Sequence, residues 1–283
     1  MDDHVIRLYP LPAEEQSLEG LYLAQGLRLL ADERSPFVYT NFVTSLDGHI
    51  SEPSDTQGRQ VPKAIANSRD WRLYMELVAQ ADVLITTERQ LRAMAAGTGQ
   101  NFSLTNAEHA DLIAWRREQK LPAQPACAAI SRSLQIPIDT LLASYSGPIL
   151  MLTREGAPRE QVSALEAVGI KVLFAGTEPR LTGTAIIKAL TQQGYTTIYS
   201  VAGPQVFHTL LEADVLDRLY LTRTQVILGG EQYDTLTRGP AFNPPRGFKL
   251  HELYFDPHAP TMAGQFFISF NRNGSHGGNK SPA

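Results

Sequence analysis

A single cysteine, Cys127, occurs among 283 residues. One thiol closes no disulfide within the chain and builds no thiolate metal site. Its setting, Ala126-Cys127-Ala128-Ala129-Ile130, is apolar, so it reads as a small buried hydrophobe. Positive charge is also short: 25 Lys and Arg stand against 29 Asp and Glu, a formal net charge of −4, with no Lys/Arg-rich block. General nucleic-acid binders carry a basic field, so nucleic acid is not expected as a partner. No apolar run approaches membrane-spanning length, and the opening MDDHVIRLYPLP lacks the basic-then-apolar pattern of a secretory leader. A cytoplasmic protein with no membrane partner is expected.

Several catalytic signatures are missing too. There is no G-x-x-x-x-G-K-[ST], hence no P-loop. No G-x-G-x-x-G follows a strand, so a Rossmann dinucleotide site is not supported, and no G-x-S-x-G supplies a nucleophile elbow. The seven histidines are scattered without H-E-x-x-H, and the H-x-E with P-C-x-x-C of zinc deaminases is absent, so no metal site is expected.

What is present is a core-forming composition, 43% hydrophobic and 19% charged. Glu14 to Glu33 reads as an N-terminal helix, with Leu18, Leu21, Tyr22, Leu29 and Leu30 on its apolar face. Phe37 to Val43 reads as a strand, Glu52 to Lys63 as a loop, and Ser68 to Ala79 as a helix capped by Ser68. Asp82–Thr86, Ala126–Ser131, Ile149–Thr153 and Lys171–Ala175 read as further strands, and the segment from Thr87 onward as a loop. Helical patterns fill Asn106–Lys120, Pro158–Val168 and Gly183–Gln193. Lys249–Phe255 and Gln265–Asn271 suit a closing antiparallel hairpin on the sheet edge. This alternation predicts an α/β fold: a mostly parallel sheet flanked by helices, ending in an antiparallel hairpin. Residues 1–36 are expected as a helical extension, 37–272 as one domain, and the Gly/Ser/Asn-rich residues 273–283 as a disordered tail.

In open α/β sheets ligands gather outside the carboxyl ends of strands. Four loops there carry groups suited to phosphate: Thr44-Ser45-Leu46-Asp47-Gly48, Thr86-Thr87, Ser131-Arg132-Ser133 and Thr153-Arg154. Each alone is also ordinary turn chemistry. The segment from Ile198 to Gly230 is more distinctive. A β-rich run reaches Val201, Ala202-Gly203-Pro204 breaks it, and Val206, Phe207, Leu210 and Leu211 recur at helical spacing. A second strand and a Gly-Gly stop follow. A turn with so few side chains opens backbone N–H groups at a helix N-terminus, where phosphate is readily held. The same pattern also suits a structural βαβ corner.

Taken together, these segments resemble the reductase family of riboflavin biosynthesis, the C-terminal domain of the bifunctional deaminase-reductase, which shares the dihydrofolate reductase fold. Asn41-Phe42-Val43-Thr44-Ser45-Leu46-Asp47-Gly48 is similar to the family's first-strand S-[LVI]-D-G. Ala202-Gly203-Pro204 through Leu211, then Val215-Leu216-Asp217-Arg218-Leu219, is similar to E-G-G-P followed by L-L-x-x-x-L-V-D-E-L. Val226-Ile227-Leu228-Gly229-Gly230 is similar to P-x-L-L-G-G. Order and spacing agree from about Phe37 to Asn271.

The resemblance implies an NADPH-dependent reductase that transfers hydride directly to 5-amino-6-(5-phosphoribosylamino)uracil or a similar pyrimidine, acting as a homodimer. It also leaves open reduction of another pterin-like or heterocyclic substrate, or a non-catalytic nucleotide-binding protein. It places the nicotinamide end of NADPH near Ala202, Gly203, Pro204, Gln205 and Val206, with further contacts at Thr86 and Thr87. Ser131, Arg132 and Thr153 would face the adenosine end, with Arg132 first and Arg154 second as the cation for the 2′-phosphate. Asn41, Ser45 and Asp47 would meet the substrate, with Arg72 and Arg69 as the nearest candidates for its phosphate. Asp47 could orient a substrate hydroxyl or relay a proton. The chain departs from the pattern at Val201-Ala202, where the family carries Glu-Gly, and at His49, where it carries lysine. Glu88 near cofactor phosphates would need a cation such as Arg89.

Overall fold

The computed structural model describes residues 3–54, 58–105, 107–178, 180–260 and 263–273. Among these, eleven strands form one sheet and two short ones a separate ribbon. In chain order the elements are β1 (His4–Tyr9), β2 (Glu14–Ser17), β3 (Phe37–Thr44), β4 (Glu52–Ser54), β5 (Gly58–Gln60), α1 (Ser68–Gln80), β6 (Val83–Thr87) and α2 (Glu88–Ala95). Then come α3 (Ala110–Glu118), β7 (Ala126–Ile130), α4 (Ile138–Ser144), β8 (Ile149–Thr153), α5 (Arg159–Ala167) and β9 (Lys171–Phe174). The chain closes with α6 (Gly183–Thr191), β10 (Thr197–Ser200), α7 (Pro204–Glu212), β11 (Arg218–Thr224), β12 (Phe248–Asp256) and β13 (Gln265–Arg272).

The sheet order is β2-β1-β12-β13-β11-β3-β10-β6-β7-β8-β9. From β11 to β9 every pair is parallel. This is the expected parallel sheet, and its strands read as short continuous apolar runs because both faces are covered. Alternate residues serve two cores. Tyr39, Leu84, Cys127, Met151 and Tyr199 share one core with α1, whereas Val38, Ile85, Ala128, Leu150 and Ile198 share the other with α6 and α7. Burying each such large side chain contributes roughly 1.5–3 kcal/mol before chain entropy is counted. Cys127 is fully buried, as its apolar run implies.

The closing hairpin is present, β12 pairing antiparallel with β13. It does not form the sheet edge, because β1 pairs antiparallel with β12 and β2 with β1. The helix expected over Glu14–Glu33 is therefore replaced by a strand and two short 3-10 turns. Gly20 and Gly26 adopt φ of 83° and 56°, which no α-helix accommodates. The backbone N–H groups find partners outside the segment. Glu76 accepts from Gly20 and Tyr22 at 2.6 and 2.9 Å, and Gln80 accepts from Leu27 at 2.9 Å. Leu18, Leu21 and Tyr22 are buried all the same, whereas Leu29 and Leu30 are exposed, so the apolar spacing marked burial only over its first half and marked no helix.

Smaller differences follow the same logic. Asn67, one residue before the expected cap, accepts the Asp70 N–H at 2.9 Å and caps α1. The presumed loop after Thr87 begins with α2, capped by Thr87 itself. The presumed loop over Glu52–Lys63 holds the ribbon of β4 and β5. The expected disordered tail lies, beyond Asn273, outside the described residues.

Candidate active site

The parallel strands β3, β10, β6, β7 and β8 end side by side, so the loops at Ser45, Val201, Thr87, Ser131 and Thr153 line one edge of the sheet. Strand alternation places Asn41, Thr86, Thr153 and Val201 on the face packed against α1. Five segments distant in sequence thus form one polar rim.

At the β3 end, Ser45 Oγ donates to Asp47 Oδ1 at 2.5 Å. The same carboxylate accepts the backbone N–H of Gly229 at 2.8 Å and of Leu228 at 3.2 Å. Asp47 is exposed, yet these donors hold its carboxyl far below the ordinary carboxylate range. The S-L-D-G turn is therefore tied to the Gly-Gly stop after β11. His49 Nε2 lies 3.7 Å from Asp47 Oδ2, and its ring stacks on Tyr233 at 3.6 Å.

At the β10 end, Ala202 is buried and Gly203 caps α7, with Pro204 in the first turn and no capping side chain. The first-turn N–H groups of α7 are thus met by no side-chain cap. Gly203 has φ −76°, and a Cβ added there would meet no atom within 4 Å. The glycine leaves open space over the turn and relieves no strain. Gln205 is exposed and Val206 half-buried.

At the β6 end, Gln90 joins two strands. Its Oε1 accepts from Thr86 Oγ1 at 3.0 Å and its Nε2 donates to the Val201 carbonyl at 2.9 Å. Thr87 Oγ1 accepts the Gln90 N–H at 3.3 Å. Glu88 accepts from the hydroxyls of Ser131 and Ser133 and pairs with Arg92, one turn along α2, rather than with Arg89. Arg132 is exposed beside them. An open hollow of about 580 Å³ adjoins this loop, with Leu134, Ile136, Ile138 and Leu165 among its walls. At the β8 end, Thr153 Oγ1 is fully buried with no hydrogen-bond partner.

Residues 36–255 match the family model of the RibD C-terminal domain. The chain belongs to this family. The 2,5-diamino-6-ribosylamino-4(3H)-pyrimidinone 5′-phosphate reductase of Archaeoglobus fulgidus is 22% identical over 207 residues, covering 73% of this chain and 88% of its own length. A pyrimidine reductase-like protein of Corynebacterium diphtheriae superposes with a TM-score of 0.64 at 19% identity, over 84% of this chain and 92% of the other. The riboflavin biosynthesis reductase of Saccharomyces cerevisiae gives 0.56 at 12% identity, over 89% and 99%. These superpositions support the fold that the resemblance implies.

Within this RibD C-terminal domain, most residues expected at a site do converge on the rim. Three are already engaged within the protein. Arg72 is not at the rim: its guanidinium is engaged by Glu76 at 3.0 Å and Asp111 at 2.5 Å, bolting α1 to α3 and to the N-terminal segment. Ser131 donates to Glu88 and accepts the backbone N–H of Leu134 at 2.8 Å. Asp47 holds the Leu228 and Gly229 N–H groups, and these donors with Ser45 keep its carboxyl far below the ordinary range. Asn41 Oδ1 accepts from Tyr199 OH at 2.5 Å, which fixes the amide at the centre of the rim. Gln90 carries no sequence signal because the segment of α2 that bears it reads in sequence as a loop. Asp70, on the α1 side of the rim, looks in sequence like any acidic residue in a first helical turn.

Proposed function

We propose that this chain is an NADPH-dependent reductase of riboflavin biosynthesis acting on a ribosylamino-pyrimidine phosphate. The observation that carries this reading is the convergence of Asn41, Asp47, Thr86, Thr153 and the Val201–Gln205 turn on one sheet edge of a RibD C-terminal domain. The relatives from Archaeoglobus fulgidus and Aquifex aeolicus act as 2,5-diamino-6-ribosylamino-4(3H)-pyrimidinone 5′-phosphate reductases, which favours that pyrimidine over the uracil.

The residues present fit a nicotinamide dinucleotide. Thr153 offers a buried hydroxyl without a protein partner, and the uncapped start of α7 suits an anion. Open space above Gly203 admits a flat ring, and Arg132 stands exposed for a 2′-phosphate. The apolar hollow beyond Leu134 suits the adenine. When bound, NADPH supplies a hydride from C4 of its nicotinamide. The chain's own part is placement. Gln90 holds the Val201 carbonyl, so the β10 turn cannot drift from β6. Asp47 fixes the Leu228–Gly229 loop against the substrate side. Asn41, oriented by Tyr199, presents its amide to the pyrimidine. Orientation and exclusion of water do the work, with no covalent enzyme intermediate.

The test is to mix the protein with NADPH and each of the two pyrimidines, follow NADPH absorbance, and identify the ribityl product by mass. Turnover of the diamino compound ahead of the uracil is expected. No NADPH oxidation with either, and no change in NADPH fluorescence on mixing, would remove the reading. A cytoplasmic homodimer belongs to the same proposal, and sedimentation gives its oligomeric state.

A further inference from the structure

Asp70 occupies the first turn of α1, partly buried, with its backbone N–H on Asn67 Oδ1 at 2.9 Å. Its carboxyl is turned to the sheet and accepts a hydrogen bond from the Thr222 side chain. Thr222 pairs with Val43 on β3, two residues beyond Asn41, and β3 pairs in turn with β10. The carboxyl therefore overlies the rim about two strand spacings, roughly 10 Å, from the strand leading to Gly203.

The ionisable groups that face it are phenols. Tyr74 of α1, Tyr199 of β10 and Tyr22 of the N-terminal segment all have pKa values raised by burial, so they are neutral. The nearby cations on α1 are directed elsewhere, Arg69 to Asp256 of β12 and Arg72 to Glu76 and Asp111. On β13, Gln265 bonds Asn67 and Asp256. Burial dominates, opposed only by Thr222, and raises the Asp70 carboxyl to about 6.

We propose that Asp70 is the proton donor of the reduction, the group on the rim that hands one proton to the substrate. This rests on the reductase reading above. Converting a ribosylamino group to a ribityl chain consumes one hydride and one proton. As the lone pair of the exocyclic nitrogen forms C=N, the C1′–O4′ bond breaks and O4′ takes the proton of the Asp70 carboxyl. The hydride supplied by the nicotinamide cofactor adds to C1′, the oxidised cofactor leaves, and solvent reprotonates Asp70. Asp47 cannot fill this role because its donors keep it ionised. Cys127 cannot, because it is sealed in the core with its thiol raised well above the usual range.

The experiment compares wild type, Asp70→Asn and Thr222→Val with NADPH and the diamino pyrimidine across a range of pH, after circular dichroism has shown equal folding. In wild type, kcat is expected to fall tenfold per pH unit above about 6. Asp70→Asn should lose on the order of 100–1,000-fold in kcat and lose that limb. Thr222→Val, which removes the bond favouring the carboxylate, should move the limb to higher pH. A second readout needs no turnover. Trp71 adjoins Asp70 and stacks on Tyr74 at 4.7 Å, so its fluorescence should show an inflection near 6 in wild type. The inflection should vanish in Asp70→Asn and rise in Thr222→Val. Turnover retained by Asp70→Asn with the limb in place overturns the donor role alone. A wild type that consumes no NADPH with either pyrimidine overturns the functional reading and the donor role with it.

Discussion

Asp47 accepts the backbone N–H of Gly229 at 2.8 Å, a bond that spans 182 positions of sequence. It ties the turn after β3 to the loop after β11, so two segments of the rim move together. Asp47→Ala frees that loop while removing only an exposed side chain. A misplacement of about 1 Å near reacting atoms costs on the order of a hundredfold in rate, so kcat/KM should fall by about that factor with little change in Tm. The low pKa of Asp47 predicts a sign as well. A depressed carboxyl stabilises the fold above its unfolded value of about 3.9, and that contribution fades only as pH falls below it. Any activity change near pH 6 must therefore arise elsewhere, and a pH profile of Asp47→Asn should keep the wild-type shape above pH of about 5.

Gly203 separates folding from binding. Its φ is −76° and a Cβ there meets nothing, so Gly203→Ala should leave Tm without cofactor unchanged within about 0.5 kcal/mol of stability. In the proposed reading the same methyl would occupy the space of the nicotinamide. NADPH titration followed by fluorescence should show weakened binding. Unaltered binding would place the ring elsewhere.

Arg132 tests the 2′-phosphate end. A hydrogen bond to a charged group contributes about 1.5–3 kcal/mol, so Arg132→Ala should weaken NADPH by roughly 10- to 100-fold. NADH lacks the phosphate and should be little affected. Calorimetry with both nucleotides decides it, and equal losses for the two would move the phosphate to another residue such as Arg154.

The parallel sheet was legible because β3, β6, β7, β8 and β10 carry short apolar runs with hydroxyls at their ends, a pattern set by burial on both faces. The rim was legible for the same reason, since Ser45, Thr86, Ser131 and Thr153 mark strand ends directly. What escaped depends on contacts between distant segments. Leu18, Leu21 and Tyr22 have helical spacing, yet Glu76 and Gln80 take the backbone N–H groups that a helix would use. Arg72 reads as a free cation until Asp111, 39 residues away, is seen to hold it. Asp70 is an ordinary first-turn acid in sequence, and only β11 packing over it reveals a desolvated carboxyl.

Arg72 predicts a stability effect with intact chemistry. Glu76 is fully buried, and Arg72 is its cationic partner at 3.0 Å. Removing one member of a buried pair costs about 3–5 kcal/mol, and Glu76 keeps the N–H bonds of Gly20 and Tyr22, so Arg72→Ala should sit near the lower end. Denaturant melts measure this loss. Well below the melting point kcat/KM should match wild type, whereas a selective rise in KM would return Arg72 to the substrate phosphate.

Asp70 should destabilise the fold it serves. A carboxyl raised from 3.8 to about 6 binds its proton more tightly folded than unfolded. Between those values the native state holds the extra proton, so stability declines as pH rises through the window and stays low above it. The shift corresponds to about 3 kcal/mol at most. Asp70→Asn keeps the shape and carries no charge to desolvate, so at neutral pH it should melt higher than wild type. Near pH of about 3, where wild-type Asp70 is largely protonated in both states, the two proteins should converge. Thermal melts at the two pH values measure the difference. A variant that melts lower than wild type at neutral pH would mean that the ionised carboxylate is held by a favourable partner. That outcome would remove the desolvation argument on which its protonation near pH 6 depends.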